Sequence, residues 1–202
     1  MITAQEALSR LREGNQRFAN ECTVHTHQNT RRRLALQNGQ DPFAIILGCS
    51  DSRVPAEIVF DQGLGELFVI RVAGNIVAPS QIGSVEFAAA RFQTSLVVVL
   101  GHSNCGAVVT TLEELQQPTQ QQSKHLCSIV DRIRPAVATL LETPLKNHPE
   151  DLVHHAVRAN IRASVHQLRH SSEILEELIA SQKLCIVGAE YSLETGIVDF
   201  FD

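Results

Sequence analysis

The sequence predicts an α/β fold: a single domain with a mostly parallel central sheet flanked by helices, plus an N-terminal helical arm. Three observations predict it. Four short, unbroken apolar runs occur at 43–47, 67–70, 96–100 and 184–187, and three of them run directly into a glycine or stop just short of one. Between them lie segments whose apolar residues recur at spacings of three and four. Strands buried on both faces read as continuous apolar runs, and their alternation with amphipathic helices is the pattern of a parallel sheet covered on two sides. Finally, no internal repeat and no linker divides the 202 residues, a length that suits one domain spanning 1–202.

Taken in order, residues 4–18 place Ala7, Leu8, Leu11, Asn15 and Phe18 at helical spacing among charged neighbours, giving an amphipathic helix with a thin apolar face. Residues 20–40 are polar and irregular or weakly helical. Together, residues 1–40 form an arm expected to pack on a partner subunit. The runs at 43–47 and 67–70 are the first two strands. After Pro79 and Ser80, the positions Ile82, Val85, Ala89 and Phe92 predict a helix over 81–92. The β-branched run at 96–100 is the third strand, and residues 107–115 are helical until Pro118 and a glutamine-rich stretch to Gln122 end them. From 150 to 180, Val153, Val157, Ile161, Val165, Leu168, Leu175 and Ile179 form one stripe, either one long helix or two joined near Ser171 and Ser172. Residues 184–187 make the fourth strand, and 197–201 an edge strand paired back through a turn at 194–196.

Composition narrows the function classes. Hydrophobic residues are 44%, charged residues 19%, and the net charge is −5, so no broad basic surface for nucleic acid is expected. The densest basic cluster, Arg31, Arg32 and Arg33, reads as a solvated face. No apolar run is long enough to span a bilayer, and the charged N-terminus does not resemble a signal peptide, so a cytoplasmic location is expected. The five cysteines are then kept reduced, and their odd number and irregular spacing argue against a disulfide framework. Cys22, Cys127 and Cys185 read as buried small apolar residues.

Two segments follow directly on predicted strands: C-S-D-S-R at 49–53 and H-S-N-C-G at 102–106. Ligands of open α/β sheets collect beyond the carboxyl ends of the strands. If the two strands are neighbours, Cys49, His102 and Cys105 meet at one point, and two thiolates with an imidazole are a zinc-preferring set. Structural zinc sites use four Cys or His ligands, and no fourth falls in either loop. Asp51 and Arg53 fall there instead. Zinc supplies hydroxide near neutral pH, Asp51 is placed to orient it, and Arg53 to hold Asp51 by a forked pair of hydrogen bonds. Released from Arg53, Asp51 could swing onto the metal as a fourth ligand and close the site. Gly106 offers a backbone N–H to substrate at a helix start.

These paired motifs resemble the two signatures of the β-class carbonic anhydrases. The similarity extends to E-G-N-x-R-F at 13–18, R-V-A-G-N at 71–75, G-S-V-E at 83–86 and the stretch I-V-G-A-E-Y-S-L-E-T-G at 186–196. The resemblance implies one Zn2+ per chain on Cys49, His102 and Cys105, an Asp51–Arg53 pair that completes the site, and a homodimer or homotetramer. It implies reversible hydration of carbon dioxide by zinc-bound hydroxide. It also matches Gln40 to a residue that reaches the partner's site, and Arg71 and Tyr191 to two residues of an inhibitory bicarbonate site. Ile46 stands where that bicarbonate site has a Trp, a departure from the regulated members. The alternatives are a related zinc hydrolase acting on carbon disulfide or carbonyl sulfide, and a catalytically silent zinc-stabilised scaffold. The remaining histidines, including His154, His155, His166 and His170, read as solvated.

Overall fold

A computed structural model of the chain describes residues 2–24, 30–118 and 123–201. Strands β1 (Ala44–Gly48), β2 (Leu67–Arg71), β3 (Leu96–His102), β4 (Cys185–Tyr191) and β5 (Val198–Phe201) form one sheet in the order β2-β1-β3-β4-β5. The first four are parallel, and β5 turns back antiparallel on β4, pairing Tyr191 with Val198. Every residue of β1 and β3 is buried. These two central strands are covered on both faces, which is why they read as unbroken apolar runs.

One face of the sheet, carrying Ile45, Leu47, Val97, Val99 and Ile186, packs against a core shared by α4 (Pro79–Phe92), α5 (Gly106–Gln116), α6 (Lys124–Val137), α7 (Pro149–His170) and α8 (Glu173–Ala180). The stripe expected over 150–180 divides into α7 and α8. Ser172 caps the second helix, its hydroxyl accepting from the Leu175 N–H. Residues 123–148, for which the pattern predicts no element, supply α6, which buries Val130, Ile133 and Val137. Pro135 lies in its last turn, where the chain is already leaving the helix.

The opposite face, with Ile46, Val98, Leu100 and Val187, is covered by α1 (Ala4–Ala19) and α3 (Ala56–Val59). The thin apolar face expected to pack on a partner subunit is therefore covered within its own chain, through Ala7 and Leu11. The E-G-N-x-R-F segment makes this docking tight. A Cβ on Gly14 would lie 1.9 Å from the Phe60 carbonyl oxygen, so only glycine permits the approach. Asn15 donates to Val59 O at 3.1 Å and Gly196 O at 2.8 Å, and accepts from the Val198 N–H at 2.8 Å. Arg17 pairs with the buried Asp61 at 2.6 Å. A short helix α2 (Thr30–Ala35) buries nothing, in keeping with the polar character of that stretch.

Two corrections concern cysteines: Cys22 and Cys185 are exposed rather than buried, and Cys127 is half-buried. Cys185 opens β4, at the point where the strand has only begun to enter the sheet. His154, His155, His166 and His170 lie on the exposed side of α7, as expected. His25, His27 and the end of the glutamine-rich stretch lie outside the described residues.

Candidate metal centre

Because β1 and β3 are adjacent and parallel, their carboxyl ends open at the same edge of the sheet. Cys49 follows the last residue of β1, and His102 is the last residue of β3. Asn104, in a left-handed conformation at φ 53°, turns the chain so that Cys105 comes back beside His102 as the cap of α5. The ligand atoms of Cys49, His102 and Cys105 all lie within 4.8 Å of one another. All three side chains are buried, at 5%, 0% and 1% exposure.

The protonation pattern suits a metal. His102 Nδ1 lies 3.0 Å from the carbonyl oxygen of Ser103, which can only accept. Nδ1 therefore carries the hydrogen, and the lone pair of the neutral ring is on Nε2. That Nε2 is buried with no hydrogen-bond partner. The sulfurs of Cys49 and Cys105 are 4.0 Å apart. A hydrogen bond from Cys105 stabilises Cys49 as a thiolate and holds its pKa below the ordinary thiol range, against burial. The same bond, and then burial, push the Cys105 thiol up. Two sulfurs competing for a proton beside an orphaned buried imidazole nitrogen fit a thiophilic divalent ion well.

Asp51 stands at the rim. Arg53 donates to it through Nε at 2.9 Å and Nη2 at 2.7 Å, and its own backbone N–H adds a third bond at 3.0 Å. Those hydrogen bonds, led by the side-chain fork, hold the Asp51 carboxyl well below the usual carboxylate range. Asp51 Oδ2 is 3.8 Å from His102 Nε2, which places an ionised carboxylate beside the three ligand atoms.

The other residues singled out by the sequence are spread more widely. Arg71, at the end of β2, donates from Nε to the Cys49 carbonyl at 2.9 Å and from Nη2 to the Asp51 carbonyl, so it braces the first loop. Tyr191 lies on β4, with β1 and β3 between it and Arg71, and packs on Phe18 at 6.3 Å between ring centroids. Burial raises its phenol pKa. Arg71 and Tyr191 are thus engaged in separate contacts, one with the first loop and one with Phe18. Gln40 is exposed, ahead of the start of β1, and is a full strand length from Cys49 at the other end. Gly106 is exposed at the start of α5, with open space where a Cβ would be. Gly74 was passed over in the sequence: its N–H points at Cys49 Sγ, 3.4 Å away. The R-V-A-G-N segment was the signal that could have found it.

Fold and site together define a class: an α/β protein with a Cys-His-Cys cluster able to hold a metal ion at the carboxyl edge of a parallel sheet. The carbonic anhydrase family profile matches residues 44–198. A carbonic anhydrase of Mycolicibacterium smegmatis is 37% identical over 94% of this chain and 89% of its own length. Carbonic anhydrase 2 of Mycobacterium tuberculosis is 38% identical over 92% and 87%. The solved structure of the β-carbonic anhydrase CcaA superposes with a TM-score of 0.72 at 29% identity, covering 96% of this chain and 95% of that one. The chain belongs to the β-carbonic anhydrase family, and with it to the lyases that interconvert carbon dioxide and bicarbonate.

Proposed function

We propose that this protein catalyses the reversible hydration of carbon dioxide to bicarbonate and a proton, with one zinc ion per chain held by Cys49, His102 and Cys105. The observation that carries the reading is the convergence of these three buried ligands with the ionised Asp51 beside them. Bound zinc supplies a Lewis acid that brings the pKa of water to about 7, a magnitude known from carbonic anhydrases with a three-histidine site.

The protein's own groups do the rest. Asp51 accepts the hydrogen of the attacking water and so turns an oxygen lone pair toward carbon dioxide. Arg53 keeps Asp51 ionised and aimed, because its fork occupies both carboxylate oxygens. Gly106, at the first turn of α5, offers a backbone N–H to the oxygen on which charge develops. With the fork formed, Asp51 serves as acceptor; with it broken, the same carboxylate is within reach of the metal ligands and closes the site.

We also infer a homodimer or homotetramer working in the cytoplasm. Val24, Leu34, Ile58 and Phe87 are more than half exposed on the single chain, which suits coverage by further subunits. Gln40 then acts across the interface, since its own chain's centre is a strand length away. Arg71 and Tyr191 serve as a bicarbonate inhibitory site only if the first loop lets go of Arg71, and Ile46 gives that site no indole. The reducing compartment follows from the need for Cys49 and Cys105 as thiolates.

The direct test is stopped-flow hydration with a pH indicator on zinc-loaded protein. Turnover far above the uncatalysed rate is expected, and background rates throughout pH 7–9 would refute the reaction.

A further inference from the structure

We propose that one turn of α7, from Asn160 to Ser164, is a positioning device for the metal centre: by holding the Gly74 and Asn75 carbonyls it fixes the turn whose Gly74 N–H lies on the Cys49 sulfur. The proposal rests on the reading of Cys49, His102 and Cys105 as zinc ligands.

The short 3-10 turn Ala73–Asn75 has two consecutive residues with positive φ, Gly74 at 70° and Asn75 at 44°. Such a turn needs outside support to hold its peptides in place, because left-handed backbone is costly for asparagine and loosely determined for glycine. Support comes from α7. Asn160 Nδ2 donates to the Gly74 carbonyl at 2.8 Å, and Ser164 Oγ donates to the Asn75 carbonyl at 3.0 Å. Both side chains are buried, at 2% and 4% exposure. They are polar residues on the otherwise apolar inward face of the helix, four apart and so stacked on one side. Packing alone would be served better by leucine or alanine there, since a buried amide or hydroxyl is costly unless bonded. Here both are used on successive carbonyls of one turn.

The same turn of α7 also registers the other half of the centre. Ile161 packs over Gly101, where a Cβ would lie 2.5 Å from the isoleucine Cδ1, and Gly101 immediately precedes His102. Gly74 itself is wedged so closely that a Cβ would meet Ile133 at 2.8 Å and Ala107 at 3.0 Å. The turn so held carries an N–H that points at the Cys49 sulfur. An N–H on a thiolate draws charge off it. In a centre with two thiolates that moderates sulfur donation and leaves the metal a stronger Lewis acid.

The test uses full-length Asn160→Ala, Ser164→Ala and Ser164→Thr, the last retaining the hydroxyl. Cobalt-substituted protein reports the sulfur-to-metal charge-transfer band, and zinc-loaded protein the rate of metal loss to a chelator. Asn160→Ala and Ser164→Ala should move the band to longer wavelength, because the sulfur regains charge, and lose zinc about tenfold faster, because Cys49 is less firmly positioned, while Ser164→Thr matches the wild type. An unmoved band and unchanged zinc loss, with only the melting temperature lowered, would make these residues ordinary packing and overturn the proposal. If Asn160→Ala does not fold, the Ser164 pair decides. A measurement on unmutated protein adds to it: with cadmium-113 bound, the Gly74 amide proton should couple to the metal through sulfur, and absence of coupling overturns the proposal. A wild type that binds no zinc, cobalt or cadmium sinks the zinc reading and this proposal together. Bound metal with an unmoved band sinks this proposal alone.

Discussion

Asp51 and Arg53, two residues apart, face each other through a fork whose arms measure 2.9 and 2.7 Å, and the carboxylate reaches to within 3.8 Å of His102 Nε2. An acceptor fixed so near the ligands but outside their set acts on turnover and not on metal retention. Asp51→Asn should therefore lower kcat/KM by roughly 10²- to 10⁴-fold, the range for loss of a positioned proton acceptor. Zinc content should stay at one per chain. Stopped-flow rates alongside elemental analysis check both, and loss of zinc in the variant would reassign Asp51 to holding the site together.

The same pair sets a pH signature in the metal-free protein. Asp51 has its folded pKa depressed below the unfolded value of about 3.9. Its contribution to stability is then complete above that unfolded value and disappears as pH falls through the folded pKa. The melting-temperature difference between wild type and Asp51→Asn should be positive at pH 7 and shrink steadily below pH 4. Since half of the Arg53 side chain is exposed, the difference should also shrink in high salt. A gap that widens with acid would contradict the assignment.

Thiol accessibility should divide the cysteines. Cys22 and Cys185 are exposed and should react with a disulfide reagent in the native, zinc-loaded protein. Cys49 and Cys105 are buried and should react only after chelation, which also lowers the melting temperature because metal binding favours the folded state. Mass spectrometry of modified peptides before and after chelation checks this. Modification of Cys49 with zinc still bound would argue against its role as a ligand.

How far the sequence foretold these features depends on how local each signal is. The strands were legible because β1 and β3 are buried on both faces, so burial alone writes an unbroken apolar run. The cluster of Cys49, His102 and Cys105 was legible because each falls at or just beyond the carboxyl end of a predicted strand. The Asp51–Arg53 fork spans two residues and could be read directly. Asn160 and Ser164 could not, because a polar residue inside a helical stripe says nothing of which carbonyl it meets 86 or 89 positions away. Helix α6 falls in a segment to which no element was assigned, and its Pro135 sits where the helix is ending anyway. The docking of α1 on its own sheet was not legible because its apolar face is thin. Part of its hold comes from Gly14 and Asn15, a close approach and three hydrogen bonds that periodicity does not register.

That hold yields a sharp contrast between two helical glycines. Gly14 in α1 has the Phe60 carbonyl where a Cβ would go, at 1.9 Å, whereas Gly83 in α4 has nothing within 4 Å. Backbone propensity favours alanine over glycine at both positions by up to about 1 kcal/mol. At Gly83 that preference acts unopposed, so Gly83→Ala should be stabilising by about that amount. At Gly14 the obstacle is backbone and cannot rotate aside, so α1 must lift off α3, taking the Asn15 bonds to Val59, Gly196 and Val198 with it. Gly14→Ala should cost about 3 kcal/mol, at the upper end for overpacking a tight core. Urea denaturation of the two variants beside wild type measures both signs. If Gly14→Ala proved as harmless as Gly83→Ala, α1 would have to lie elsewhere in solution, and the arm would return to packing on a neighbouring subunit.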